Sequence, residues 1–488
     1  MPDGGDVPRT RRRLLAETLG VATTAAVLGP GIVVDGVMGG ATSGVTGGPA
    51  FAEPPPSPAA STWPKAAFPL RVAASRRHLE DAAGQPFLLH GDTAWSLIAQ
   101  LARQDVVRYL DDRMTRGFNA ILVNLLEHHF SSHPPANAYG HAPFRTSGDF
   151  AAPDEDYFAH ADWVIHQAAE RGLLVLLAPA YLGDRGGNQG WYREMLAAGP
   201  DKLRAYGQYL GRRYARFANI LWVHGGDFNP PHKDVVRAVA EGIRAVDRRA
   251  LHTAHCGPET AAVDYWQNEP WLQLDTVYTY GLVRTAALTR RHRPGGLPFF
   301  LIESAYEGEH GAGEQRVRAQ AWAALLSGAC GHVYGNNPIW HFGGPGLYAA
   351  PTSWQSALAS RGAQSMTHLR RLLSSRCWWQ LVPDDKGTLI AADAAGAAAQ
   401  DAIAAAASDD GTLAIAHLPD IRRVEVQLHR LRGPRGNAAV RARWYDPSSG
   451  TFSDVAGGPL PASGAHGFRP PGANAAGLAD WILLLEEP

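Results

Sequence analysis

Cysteine is scarce in this 488-residue chain, with three residues at positions 256, 330 and 377. The number is odd and none stands in a C-x-x-C spacing, so neither a thiolate zinc site nor a disulfide framework is supported, and at most one bridge could form. No stretch reaches the roughly 18 consecutive apolar residues of a membrane span. Net charge is also missing: 45 Lys and Arg face 46 Asp and Glu, and no basic run appears past the first residues. Nothing in that balance favours nucleic acid or an anionic membrane, and a neutral ligand fits better. No G-x-G-x-x-G follows a strand-like run, which removes dinucleotide binding. The histidines at 128, 129, 133 and 141 lie in a loop without H-E-x-x-H or ligands at helical spacing, so no metal or other cofactor is expected. Tryptophan, by contrast, is plentiful, with 14 residues. An amphipathic ring that stacks on the apolar face of a sugar is one use for the surplus beyond core packing.

The first residues read as an address. Thr10-Arg11-Arg12-Arg13-Leu14-Leu15 leads into a weakly apolar Ala/Gly/Thr-rich stretch that ends at Ala50-Phe51-Ala52, the pattern of a twin-arginine export signal with an A-x-A cleavage site over 1–52. Residues 53–69, rich in Pro, Ser and Ala, read as a linker. After a hairpin at Asp81-Ala82-Ala83-Gly84, apolar runs of strand length alternate with helical periodicity. Strands are expected within 86–95, 119–125, 173–178, 220–226, 251–255, 274–280, 298–304 and 332–335. Helices are expected over 103–114, around 157–168, from Lys202 to about Phe217, around 235–243 and around 321–325, with Gly117 as a C-cap. Eight such units predict an α/β fold, a (β/α)₈ TIM barrel over 70–383.

Two of the runs end on carboxylates. Ile220-Leu221-Trp222-Val223-His224-Gly225-Gly226-Asp227 stops before a Pro pair, and Phe299-Phe300-Leu301-Ile302-Glu303 ends with no cation beside it in sequence. In such a barrel the C-terminal strand ends carry the chemistry, and strands four and seven lie roughly across the mouth from one another. Asp227 and Glu303 would then face each other, the arrangement that two-carboxylate glycoside hydrolysis requires.

Gly91-Asp92-Thr93-Ala94-Trp95, Arg116-Gly117-Phe118-Asn119, Gly225-Gly226-Asp227, Ile302-Glu303-Ser304 and Gly331-His332-Val333-Tyr334-Gly335 occur in this order at strand ends. Over roughly Leu70 to Pro383 the chain thereby resembles the apiosidase-like glycoside hydrolases, a (β/α)₈ family formerly described as a domain of unknown function. The resemblance implies a retaining clan with acid/base after strand four and nucleophile after strand seven, which match Asp227 and Glu303. Most of that clan has an Asn-Glu pair at strand four. An Asp is one methylene shorter, about 1.5 Å, and Gly225-Gly226 would let the backbone make up the difference. Burial in the mouth and the charge of Glu303 would keep Asp227 protonated.

Further residues at strand ends are candidates for substrate binding. Asp92 suits a hydroxyl acceptor and Trp95 a stacking floor; Asn124 and His224 suit positioning, and Tyr278 or Tyr280 could donate to Glu303. Asn336, Asn337 and Trp340 after strand eight would form a sugar platform. Beyond a low-complexity stretch at 391–407, short strands separated by Gly/Pro/Asp turns predict an antiparallel β-sandwich over 384–488. Its Arg443-Trp444-Tyr445-Asp446-Pro447 with Gly450 resembles the C-terminal module labelled collagen-binding in that family, and here is expected to brace the barrel. The sequence thus points to a secreted retaining exo-glycosidase acting on polysaccharide side chains. The alternative is a non-catalytic carbohydrate-binding or scaffold protein on the same barrel.

Overall fold

The computed structural model of the protein describes residues 63–390, 403–431 and 439–488. The expected export signal, the start of the linker and most of the low-complexity stretch lie outside the described residues. The barrel strands are β1 (Leu89–Thr93), β2 (Ala120–Asn124), β3 (Leu174–Ala178), β4 (Ile220–Gly225), β5 (Leu251–His255), β6 (Asp275–Tyr278), β7 (Phe299–Glu303) and β8 (Gly331–Tyr334). They form one parallel sheet in the order 5-4-3-2-1-8-7-6. Closure comes at β5 and β6, where hydroxyls supplement a sparse backbone ladder: Thr253 Oγ1 donates to the Leu274 carbonyl and Thr276 Oγ1 to that of Ala254, each at 2.9 Å.

Every barrel strand is buried along its length, because the inner face fills the barrel and the outer face packs on helices. Leu122, Leu176, Val223 and Phe300 belong to the inner core, whereas Ile121, Val175 and Trp222 face outward with helical residues such as Tyr157, Leu210 and Ile243. The surrounding helices are α1 (Arg103–Thr115), α2 (Glu155–Glu170), α3 (Tyr192–Tyr214), α4 (Lys233–Val246), α5 (Val283–Arg291), α6 (Glu314–Leu326) and α7 (Arg361–Ser374). Gly117 at φ +88° ends α1, as its position in the sequence predicts. The expected start of α3 at Lys202 is too late: about two further turns precede it from Tyr192, joined across Gly199 (φ +76°) and Pro200. Helix α5 was not read from the sequence; its nine residues carry only Val283, Ala287 and Arg290 on the buried face.

At the end of the expected linker, residues 63–69 lie against the barrel. The Trp63 indole donates to the Thr115 carbonyl at 3.2 Å and Lys65 Nζ to that of Glu170 at 2.6 Å, satisfying carbonyls at the ends of α1 and α2. The C-terminal part contains β9 (Leu381–Pro383), β10 (Ala404–Ser408), β11 (Leu413–Leu418), β12 (Val424–Gln427), β13 (Ala439–Tyr445), β14 (Phe452–Asp454), β15 (Leu460–Pro461), β16 (Ala465–Phe468) and β17 (Trp481–Glu486). An antiparallel sheet in the order β9-β10-β11-β17-β13-β14, with β15 on β13, carries the pair β12-β16 on its far side. Its near face, with Ile415, Tyr445, Ile482 and Leu484, shares one core with Trp322 and Leu325 of α6 and with Met366 and Leu369 of α7. Cys256 and Cys330 are buried, Cys377 is exposed, and all three thiols are free. No described helix is long and apolar enough to cross a membrane.

Candidate active site

Both carboxylates reach the mouth through a departure from regular strand geometry. On β7, Phe300 and Ile302 point inward, so strict alternation would turn Glu303 outward with Leu301. The register against β6 instead shifts between Leu301 and Glu303, placing Glu303 opposite the inward-facing Tyr278. Bulges of this kind re-aim a side chain. On β4 the chain leaves the strand through Gly225 (φ +94°), Gly226 (φ +130°) and Asp227 (φ +48°). A Cβ on Gly225 would lie 2.4 Å from the His255 carbonyl oxygen, and one on Gly226 would lie 2.2 Å from the Tyr181 ring. Only glycine permits that path, and the left-handed aspartate after it is backbone strain of the kind that clusters at functional sites.

His255, at the end of β5, stands between the two acids. Its Nε2 is 2.8 Å from Glu303 Oε2, and its Nδ1 is 3.2 Å from both the Asp227 backbone nitrogen and the Cys256 carbonyl oxygen. The ring can therefore sit neutral, accepting the Asp227 N–H, or charged, donating to Cys256. Burial opposes the charged form, but the hydrogen bond and charge of Glu303, with the charge of Asp227, outweigh it and raise the His255 pKa. Glu303 is itself pushed above the ordinary carboxylate range by burial first and by the charge of Asp227 second, against the donors His255 and Tyr280. Tyr280 Oη donates to Glu303 Oε1 at 3.1 Å, and Tyr278 Oη to Tyr280 at 3.2 Å. Asp227 Oδ2 accepts from the phenol of Tyr181 at 2.6 Å, while Oδ1 has no hydrogen-bond partner among the described residues. The Asp227 side chain is 24% exposed and that of Glu303 only 7%, so the burial expected to act on Asp227 falls mainly on Glu303. One ligand-capable atom each from Asp227, His255 and Glu303 lies within 4.8 Å of the others.

A cavity of about 640 Å³ opens over this trio, within the size range of small-ligand sites. Trp95, Phe130, Tyr181, Tyr306 and Trp340 are among its aromatic walls, and Asn124 and Glu309 are among its polar groups. The Trp95 indole donates to Tyr306 Oη at 3.1 Å and the Trp340 indole to Glu309 Oε1 at 2.9 Å, which fixes both rings. Asn124 is buried, and its Oδ1 has no hydrogen-bond partner among the described residues. Of the expected binding residues, Trp95, Asn124, Tyr280 and Trp340 line the cavity, and Tyr278 lies behind Tyr280.

Four candidates are turned away. Asp92 has the outward parity of its strand and is fully buried against α1, with Tyr109 Oη at 2.8 Å and Arg113 Nε at 3.4 Å; burial raises its pKa to about 6 against the pull of Arg113. His224, also outward, has its Nε2 2.8 Å from Nδ1 of His252 and packs on Trp271, and burial lowers its pKa to about 3. Asn336 donates to Glu307 and to Tyr334, and Asn337 donates to the Ala349 carbonyl while its Oδ1 meets His341, so both serve loop structure. Of the loop histidines, His128 pairs with Glu194 at 3.1 Å, and exposed His141 sits with Asp154 and Asp156. His255, Tyr181, Tyr306 and Glu309 were missed. Tyr181 lies just past the end of β3, as Trp95 does past β1, and could have been found by the same reasoning.

A (β/α)₈ barrel with two carboxylates facing across its mouth in an aromatic cavity defines a glycoside hydrolase. Residues 73–380 match the family model described as apiosidase-like, catalytic domain, and residues 382–486 match one described as "Putative collagen-binding domain of a collagenase". The chain belongs to the apiosidase-like family. A solved structure titled glycoside hydrolase is 25% identical, covering 86% of this chain and 97% of its own, with a TM-score of 0.74. A glycoside hydrolase family 5 structure from Bacteroides vulgatus ATCC 8482 is 23% identical over 86% of this chain and 93% of its own, with a TM-score of 0.73, and is similar in fold. No curated protein matches the sequence.

Proposed function

We propose that the protein is a retaining glycoside hydrolase that removes terminal sugars from polysaccharide side chains, apiose among the candidates, with Glu303 as nucleophile and Asp227 as acid/base. The observation that carries this reading is that one carboxylate oxygen of Asp227 lies within 4.8 Å of one of Glu303, with a His255 nitrogen within the same distance of both, an approach that favours the closer of the two known carboxyl spacings. Retention works with carboxyl groups about 5–5.5 Å apart, whereas inversion needs about 6.5–9.5 Å to admit a water between acid and sugar.

In the first step a Glu303 oxygen bonds to the anomeric carbon as the bond to the leaving oxygen breaks, and Asp227 gives its proton to that oxygen. Tyr181 donates to Oδ2 and so holds the Asp227 carboxyl in place as it gives and takes back its proton. In the second step Asp227 takes a proton from water, the resulting hydroxide displaces Glu303 from the sugar, and both groups return to their starting states. Tyr280 and His255 hold the attacking carboxylate through its two oxygens. Trp95 and Trp340, fixed by their indole hydrogen bonds, supply apolar faces for the sugar. The exo reading is supported by the buried aromatic walls around the carboxylates, and export by the Arg11-Arg12-Arg13 tract with its A-x-A site.

Hydrolysis of a panel of aryl glycosides, including a β-apioside and arabinofuranosides, identifies the sugar. A fluoro-sugar of matching configuration should then add its mass to the peptide carrying Glu303, and Glu303→Gln should abolish nearly all turnover. Asp227→Asn removes acid/base assistance, on the order of 10²–10⁴-fold, yet should still accept substrates with good leaving groups and be restarted by azide. A product of inverted configuration, or a label on another residue, would refute the assignment. EDTA should leave the rate unchanged, since neither step requires a Lewis acid; loss of activity restored by a divalent ion would refute that.

A further inference from the structure

Large apolar side chains are mostly inside this protein, and the described exceptions are unevenly placed. Among the described residues seven large hydrophobic side chains are exposed, and three of them, Tyr280 (49%), Leu347 (53%) and Tyr348 (43%), line the cavity that holds the two carboxylates. Contiguous exposed apolar surface at a cleft marks ligand contact. The three residues come from the loops after β6 and β8. His310, from the loop after β7, sits edge-on to Tyr348 with ring centroids 4.4 Å apart and holds a left-handed backbone at φ +49°. The Tyr280 carbonyl accepts from Arg316 of α6 at 3.4 Å, which ties this side of the mouth to the helix layer.

The aromatic lining therefore has two depths. Trp95, Phe130, Tyr306 and Trp340 are buried around the carboxylates, where one sugar can be enclosed. Tyr280, Leu347 and Tyr348 stand outside them, half in solvent. A free monosaccharide or a small leaving group would have no use for this outer ledge.

We propose that the ledge formed by Leu347, Tyr348 and His310, with Tyr280 at its inner edge, is a leaving-group subsite that binds the pyranose rings of a polysaccharide chain bearing the scissile sugar. The inference rests on the hydrolase reading of the same cavity. Stacking of C–H-rich sugar faces on the Tyr348 ring and against Leu347 holds the polymer while the terminal sugar enters the enclosed part. Tyr280 also touches Glu303, so it cannot separate binding from chemistry and is left intact in the test.

The test uses the full chain in two arms. In the kinetic arm, Leu347→Ser/Tyr348→Ala is compared with wild type on the aryl glycoside that wild type cleaves and on the polysaccharide from which it releases the same sugar. The ratio of kcat/KM for polymer over aryl glycoside should fall about tenfold, the size expected for losing one or two aromatic and apolar contacts. Equal losses on both substrates would overturn the proposal. In the binding arm, Glu303→Gln is run through native gels containing pectin or arabinogalactan. Retardation in at least one gel, lost when Leu347→Ser/Tyr348→Ala is added, supports the ledge whether or not a cleavable substrate has been found. No retardation in either gel overturns it, as does retardation that survives the double change, which would place the polymer elsewhere. Absence of turnover with retention of ledge-dependent binding would refute the hydrolase mechanism while leaving the ledge standing.

Discussion

At the scale of single residues the site is a balance between burial, which resists charge on Glu303, and donors that restore it. Tyr280 and His255 each favour the ionised form that the proposed mechanism requires. Tyr280→Phe removes one donor, so the Glu303 pKa should rise further and the acid limb of the kcat/KM profile should move to higher pH, with activity near neutrality least affected. The pH profiles of the two enzymes check this, and an unchanged or downward-shifted limb would show that Tyr280 does not stabilise the carboxylate. That Asp227 and Glu303 would reach the barrel mouth was legible because each ends an apolar run. Their support was not, since His255 and His224 both end buried strands in a polar residue. Nothing in composition says which ring faces the barrel, and only the pairing of His255 with Glu303 and of His224 with His252 separates them.

At the scale of elements, the eight strands and most helices followed from periodicity, because a two-sided buried strand needs an uninterrupted apolar run and an amphipathic helix needs a stripe. The uniform burial that made the strands visible also hid their inward parity, which is why Asp92 was misplaced. The bulge that turns Glu303 inward left no mark in sequence, whereas the Gly225-Gly226 pair did. Gly226→Ala would place a methyl into the Tyr181 ring and force an unfavourable φ. Tyr181 and Asp227 must then separate, and a displacement near 1 Å is worth on the order of 10²-fold in rate. The expected result is a loss of that size in kcat together with a lowered melting temperature, since the methyl meets a buried ring and the backbone is strained. A fully active Gly226→Ala enzyme would show that this backbone path is not required.

At the scale of the whole molecule, α6 joins the C-terminal module to the catalytic mouth. On its module side Arg318 makes two hydrogen bonds to Asp480, at 2.7 and 2.9 Å, in full burial, and Gln315 reaches the Pro419 carbonyl. On its barrel side Gln320 clamps the backbone of Ala305, two residues past Glu303, through both amide atoms. Burial would raise the Asp480 pKa, but His417 nearby and the two-pronged Arg318 hold it well below the ordinary range; at 3.7 Å His417 is too far for a hydrogen bond, so Arg318 is the stronger partner. A depressed carboxylate stabilises the fold above its unfolded value, about 3.9, and that contribution is lost progressively as pH falls from there through the lower folded value, so the interface should hold in mild acid and weaken only in strong acid. Arg318→Met leaves a buried carboxylate unpaired and should cost about 3–5 kcal/mol in denaturant unfolding. Deletion of everything beyond Pro383 goes further, since it bares Trp322, Leu325, Met366 and Leu369 to water. The shortened chain should aggregate on expression, and whatever remains soluble should have lost activity as α6 releases the Ala305 backbone. Recovery of a monomeric, thermally stable and fully active barrel would show that the module is an independent appendage and that α6 needs no support from it.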